Sequence, residues 1–118
     1  MALELSHRRY GAGPPVVILH GLFGSAHNWQ TIARGLAATH CVYTLDLRNH
    51  GDSPWKAAMS YPEMAADVRH TLSRLGLRAP ALVGHSMGGK VAMRLALEQP
   101  EHVAALVVVD IAPVAYPQ

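Results

Sequence analysis

The stretch that decides the fold is LVGHSMGGKVAM, residues 82–93, because it contains two overlapping glycine patterns. Gly84, Ser86 and Gly88 match G-x-S-x-G, the turn that presents a serine nucleophile between a strand and a helix. The segment that ends at Lys90 also matches G-x-x-x-x-G-K, which is most of a phosphate-binding loop. Both patterns need a strand–turn–helix, so they predict one local structure and two different functions.

The rest of the chain alternates short β-branched runs with longer helical periods. This alternation is typical of the α/β class, a mostly parallel sheet with flanking helices. The predicted strands are 2–11 at an edge, 15–21, 41–47, 79–85 and 103–113. The predicted helices are 28–38, a helix from the Ser60–Glu63 capping box to Gly76, and 87–98. A single domain over residues 1–118 is expected.

Composition favours a small packed domain with neither nucleic acid nor a membrane as its partner. The chain has 118 residues, of which 50% are hydrophobic and 15% charged, and its net charge of +2 comes mainly from scattered arginines. Cys41 is the single cysteine and stands in an apolar run, which indicates a buried, reduced thiol. The chain starts without a signal-like apolar region, and no apolar stretch approaches the ~18 residues that span a bilayer. A cytoplasmic protein is expected.

The eight histidines contain no H-x-x-x-H or H-x-H pair. We therefore interpret them as scattered surface and loop residues, and we expect no metal site. No cofactor is predicted either.

Residue chemistry favours the serine pattern over the phosphate loop. A phosphate loop needs a hydroxyl directly after its lysine to bind Mg²⁺, and Val91 stands at that position. The run LVVVD, which ends at Asp110, does resemble the strand and aspartate of a Walker B site. In the serine pattern, Gly84 and Gly88 leave room for a sharp turn. The hydrolase interpretation thus explains more of these residues.

A serine nucleophile of this kind works with an oxyanion hole made of backbone N–H groups. Met87, directly after the serine, is expected to supply one N–H. The second is expected from HGLFGS, residues 20–25, with Leu22 as the first candidate and Phe23 as the second.

Five blocks, HGLFGSAHNW, DLRNHGDSP, YPEMAADV, LVGHSMGGKVAM and VVVDIAPV, together resemble the α/β-hydrolase superfamily, in particular its small bacterial esterases and thioesterases of the YbfF kind. The resemblance implies a serine hydrolase that cleaves a small-molecule ester or thioester substrate through an acyl-enzyme. It covers the N-terminal half of such an enzyme, so the last strands and the lid would lie beyond Gln118. It also implies that Asp110 can serve as the catalytic acid, and that Asp46, Arg48, Gly51 and Ser53 belong to a structural loop. In the wider superfamily the acid comes one strand later, so the alternative that Asp110 only caps the turn at IAP stays open.

The histidine of a Ser–acid–His triad must follow both other members in this fold. His102 is the one histidine after Ser86, and its position before the last strand suits the opposite end of the sheet. The catalytic histidine is therefore expected from a complementary C-terminal chain or segment, and the 118-residue chain alone is predicted to be inactive. Two alternatives stay open: a non-catalytic module that binds a small ligand or partner, and a nucleotide-binding domain.

Overall fold

Five strands form one sheet in the computed structural model, which describes residues 2–21 and 24–109 apart from the side chain of residue 28. The strands are β1 (His7–Tyr10), β2 (Pro15–Leu19), β3 (Cys41–Leu45), β4 (Ala81–His85) and β5 (Ala105–Val109). The helices are α1 (Gln30–Leu36), α2 (Tyr61–Arg74) and α3 (Met87–Glu98), and short 3-10 helices span Ala26–Trp29 and Pro100–His102. The predicted α/β class is confirmed.

The strand order is β1-β3-β2-β4-β5, with β1 antiparallel to β3 and the other neighbours parallel. The carboxyl ends of β3, β2, β4 and β5 therefore lie side by side at one edge of the sheet. In parallel α/β sheets the crevice at this edge is where ligands bind. The segment after β2 and the turn after β4 start there, and β5 ends there at Val109.

Side chains alternate between the two faces of the sheet, and both faces are buried along β2. Val17 and Leu19 belong to the core under α2 and α3. Val16 and Ile18 belong to a smaller core that includes Ala33 of α1. This explains why the apolar run of β2 is continuous in the sequence.

The first strand is shorter than predicted, because residues 2–6 do not join the sheet ladder. The backbone N–H of Leu3 donates to Asp67 Oδ1 at 2.8 Å, and that of Leu5 donates to Thr71 Oγ1 at 2.9 Å. Both acceptors lie on α2, so the segment before β1 packs along this helix. The predicted edge position of this strand is confirmed.

Two helices begin where the sequence predicts. The Ser60 side chain accepts from the Glu63 N–H, and the Glu63 carboxylate accepts from the Ser60 N–H, which completes the capping box of α2. α3 spans the predicted residues 87–98. Within the described residues, no helix is both long and apolar enough to cross a membrane.

Candidate active site

Ser86 lies on a one-residue turn between the end of β4 at His85 and the start of α3 at Met87. Its backbone has φ 54° and ψ −113°, a strained conformation of the kind that costs about 1–3 kcal/mol. The Ser86 carbonyl accepts from the N–H of Lys90 at 3.1 Å, which closes the first turn of the helix. The serine is thus held at the carboxyl edge of the sheet on the strand–turn–helix that the sequence predicts.

The glycines around Ser86 let the helix pack directly on two strands. A Cβ atom on Gly84 would meet the Gly88 carbonyl oxygen and lie 2.6 Å from the Gly89 Cα. A Cβ atom on Gly88 would lie 2.5 Å from the carbonyl oxygen of His20, directly after β2. Real Cβ atoms essentially never approach other heavy atoms within 3.0 Å, so neither position has room for a side chain.

Leu22 and Phe23, the candidates for one oxyanion donor, lie outside the described residues, but both flanks are described. The N–H of Gly24 donates to the carbonyl of Gly21 at 3.0 Å. Gly21 is packed so closely against His85 that a Cβ atom would lie 2.9 Å from the imidazole Nδ1. The loop after β2 therefore starts in contact with the residue before the serine.

The register of the central strands places Gly21 and Ser86 at matching positions after their strands. The pairing of β2 with β4 runs to Leu19 opposite Gly84, and Gly21 and Ser86 each follow by two residues. Met87 is the first residue of α3, and the first four N–H groups of a helix have no acceptor within the helix. This N–H is suited to bind a negatively charged oxygen next to Ser86.

The last strand leads toward the same point. Asp110 lies outside the described residues, but Val109 before it pairs with His85 in the β4–β5 register. The Val109 carbonyl accepts from the N–H of Ser86 at 3.2 Å. The chain thus leaves β5 beside the serine.

The loop after β3 supports this edge from the other side. The Asp46 carboxylate accepts from the N–H groups of Ala26 at 2.7 Å and Asp52 at 3.1 Å. The Ser53 hydroxyl donates to the Asp46 carbonyl at 2.5 Å. These contacts tie the loop after β3 to the turn before α1, which is a structural role.

His20, directly after β2, is buried with 1% of its surface exposed. Its Nε2 accepts from the N–H of Leu47 at 3.0 Å, and its Nδ1 lies 2.7 Å from the carbonyl oxygen of Gly21. Burial lowers the pKa of the His20 imidazole below its ordinary value of 6.5. His20 and His50 lie in loops, as predicted, but both are buried, so the prediction that the histidines are at the surface is wrong for these two. One signal was available, since His20 directly follows a continuous apolar strand.

The residues of the phosphate-loop pattern do not face a common ligand site. Val91 is completely buried in the core under α3. The Nζ atom of Lys90 lies over the ring of Tyr61, 5.8 Å from its centroid. A phosphate loop needs the lysine and the following side chain at the phosphates and Mg²⁺, so this geometry favours the serine pattern.

His102 lies in the Pro100–His102 turn, where its Nδ1 is 3.0 Å from Gln99 Oε1. The turn precedes β5, whereas Val109 at the other end of β5 meets Ser86. The four residue steps of β5 span about 13 Å, so His102 lies at the opposite edge of the sheet. It cannot accept the Ser86 proton in this arrangement.

Comparison of the sequence and the structure with known proteins identifies the fold. A sequence model of the alpha/beta hydrolase fold matches residues 14–118. The sn-1-specific diacylglycerol lipase ABHD11 of Xenopus laevis is 52% identical over 116 residues, which cover 94% of this chain and 37% of the lipase. Esterase YbfF of Escherichia coli is 44% identical over 102 residues, 86% of this chain and 40% of the esterase.

Among solved structures, a marine microorganism esterase matches with a TM-score of 0.92 and 45% identity. The match covers 99% of this chain and 45% of the esterase. The chain therefore spans roughly two fifths of the length of these relatives.

Proposed function

The chain belongs to the alpha/beta hydrolase fold family, and we propose that it carries the nucleophile of a serine hydrolase. The observation that carries the proposal is the strained turn at Ser86, which holds a half-buried serine at the carboxyl edge of a parallel sheet. The substrate is a small-molecule carboxylic ester or thioester. The relatives named as a lipase and as esterases support ester chemistry.

The reaction begins with attack of the Ser86 Oγ on the carbonyl carbon of the substrate. A histidine takes the hydroxyl proton, the acyl group is transferred to the serine, and the alcohol or thiol leaves with that proton. Water then attacks the acyl-enzyme by the same route and releases the carboxylic acid. The chemistry needs no cofactor.

The tetrahedral intermediate carries a negative charge on the former carbonyl oxygen. The N–H of Met87 and the N–H of Leu22, or that of Phe23, form the oxyanion hole. The start of α3 adds the positive end of its helix dipole at the same point. Contact between Gly21 and His85 supports this assignment, because it brings the two donor segments together.

The remaining triad members are Asp110 and a histidine from beyond residue 118. Asp110 follows the Val109 carbonyl that is hydrogen-bonded to Ser86, which supports its role as the acid that orients the histidine. The histidine is supplied by a C-terminal segment, either of a longer polypeptide or of a complementary chain. This chain covers between 37% and 45% of the length of its relatives, which supports the assignment of the histidine to a further segment.

The test is p-nitrophenyl acetate hydrolysis by the protein assembled with the segment that supplies the histidine. Ser86→Ala is expected to lower kcat by on the order of 10⁶, because the serine and its base act as one unit. Ser73→Ala, at an exposed serine of α2, is the matched control and should leave kcat unchanged. Hydrolysis that survives Ser86→Ala would refute the proposal. Binding of the ester without turnover by the assembled wild type would instead favour the non-catalytic module.

A further inference from the structure

A cavity of about 780 Å³ lies between the C-terminal ends of α2 and α3, at the edge of the sheet where β4 and β5 begin. The apolar side chains that line it are Leu72, Leu77, Leu82, Leu95 and Val103. Leu82 and Leu95 are almost completely buried, so they form the floor of the cavity. Ligand cavities in proteins have volumes of roughly 300–1,000 Å³ and mostly apolar walls. The size and the floor of this cavity therefore suit a small molecule with an apolar body.

The cavity is separate from the candidate active site. It lies at the start of β4, beside Leu82, whereas Ser86 follows the end of the same strand. The four residue steps between these two residues span about 13 Å of extended chain. None of the described residues that line the cavity belongs to the serine turn. A ligand bound in the cavity would therefore not contact Ser86.

Charged side chains form the rim where the cavity opens to solvent. Two arginines, Arg69 and Arg78, line the rim together with one glutamate, Glu101. Arg69 donates to Glu98 Oε1 at 2.8 Å, so its charge is already paired. Arg78 is exposed and makes no ion pair with any residue that the structure describes. The rim thus offers one guanidinium that can bind an anion.

The two helix ends at the cavity act against an anion, because helix C-termini attract cations. Their carbonyl groups are partly occupied, however. The N–H of Leu77 donates to the carbonyl of Leu72 at 2.9 Å, and the N–H of Gln99 donates to that of Leu95 at 2.9 Å. These bonds weaken the attraction of the helix ends for a cation, so the excess of arginine at the rim favours an anion.

We propose that this cavity is a second ligand site, which binds an aliphatic carboxylate with its hydrocarbon chain on the leucine floor and its carboxylate at Arg78. A guanidinium can bind a carboxylate through two parallel N–H donors. A small inorganic anion would leave the apolar floor unused, and an uncharged hydrocarbon would leave Arg78 unused. The site does not depend on serine chemistry, so it goes beyond the proposed function and either can fail alone.

Calorimetric titration of the 118-residue chain with octanoate, below the concentration at which octanoate forms micelles, measures binding. Each buried methylene group should strengthen binding about fourfold, so octanoate should bind roughly tenfold more tightly than hexanoate. Acetate lacks the chain that the floor would bind and should bind much more weakly than either. Equal affinities for acetate and octanoate, or no binding of octanoate, would overturn the proposal.

Octanol, which has the same chain without the charge, tests the role of Arg78. Arg78→Ala should weaken octanoate binding about three- to fivefold, as expected for an exposed ion pair, and leave octanol binding unchanged. Arg34→Ala, at an exposed arginine of α1, is the matched control and should change neither affinity. An unchanged octanoate affinity of Arg78→Ala, or equal losses in the two variants, would contradict the placement of the carboxylate.

Backbone ¹⁵N–¹H spectra locate the bound molecule. Octanoate should shift the signals of Leu77 and Val103 and leave that of Ser86 in place. Ala79→Phe, at an exposed position of the cavity wall, should fill the cavity and abolish binding, and Ala57→Phe, exposed in the loop after β3, is the matched control. Thermal unfolding verifies that both variants are folded. Shifts confined to the serine turn, or full binding by folded Ala79→Phe, would refute the site.

The last measurement uses the protein assembled with the C-terminal segment. Octanoate binding should persist there, and Ser86→Ala should not change it, because the cavity and the serine lie at opposite ends of β4. Loss of binding on assembly would mean that the added segment occupies the cavity, which would overturn the ligand site. Octanoate binding by an assembled protein that hydrolyses no ester would support the site and refute the proposed function alone.

Discussion

At the scale of single residues, the turn around Ser86 has the features that define the candidate site. The serine occupies a strained backbone conformation, and glycines two positions before and after it allow β4 and α3 to meet. The N–H of Ser86 is bonded to the Val109 carbonyl, so the turn is also tied to β5. A strained backbone conformation persists only where the surrounding structure enforces it, and such positions cluster at functional sites.

Asp110 is the residue whose proposed role depends most on this link to β5. In the assembled hydrolase, Asp110→Asn should lower kcat by about 10⁴, because an amide in place of the carboxylate favours the wrong tautomer of the catalytic histidine. Steady-state ester hydrolysis measures the effect. Asp52→Asn, at an exposed aspartate of the loop after β3, is the control. Near-normal turnover of Asp110→Asn would mean that the acid lies beyond residue 118.

The contrast between Ser86 and His20 explains which site residues the sequence can predict. The serine turn is a local pattern, since its glycines are needed within two residues of the serine. The burial of His20 depends on Leu47 and His50, which are 27 and 30 residues away. No local spacing encodes such a contact, so a histidine expected at the surface is found between two loops.

At the scale of elements, a buried ion pair joins α2 to the loop after β3 and to the start of the chain. The guanidinium of Arg48 donates to Asp67 from Nε at 2.6 Å and from a terminal nitrogen at 2.8 Å. Asp67 also accepts from the N–H of Leu3 at 2.8 Å. Both charged side chains are almost completely buried, so the attraction between them compensates for the hydration that each has lost.

Removal of one partner from this pair should be strongly destabilising. Asp67→Ala would leave the Arg48 charge buried without its main partner, and the free energy of unfolding should fall by about 3–5 kcal/mol. Urea denaturation measures this change. Glu98→Ala, which removes exposed ion pairs with Arg69 and Arg94, is the control and should cost about 1 kcal/mol or less. Equal losses for the two variants would contradict a central role of the buried pair.

The sequence separation of the stabilising contacts explains why the sequence predicts helices α2 and α3 better than strand β1. The capping box of α2 lies within four residues, and its signal is present in the local sequence. Residues 2–6 resemble a strand by alternation, but Leu3 and Leu5 are bonded to side chains of α2 that lie 64 and 66 residues away. A contact of that sequence separation competes with strand pairing and leaves no local pattern.

At the scale of the whole molecule, the sheet order places β5 at an edge, beside β4. Four side chains of β5 are 37% to 51% exposed although all are apolar: Leu106, Val107, Val108 and Val109. Folded proteins normally cover an exposed apolar edge of this kind. The strand order itself was not predicted, because crossovers between β2, β3 and β4 depend on packing of distant segments.

The central claim is that Ser86 is a nucleophile and that its base comes from beyond residue 118. The most direct test is mass spectrometry after treatment with a fluorophosphonate, which reacts with activated serines. One adduct on Ser86 is expected in the protein assembled with the C-terminal segment, with no adduct in Ser86→Ala and far slower labelling of the 118-residue chain alone. An assembled protein without an adduct on Ser86, or equally fast labelling of the chain alone, would contradict the claim.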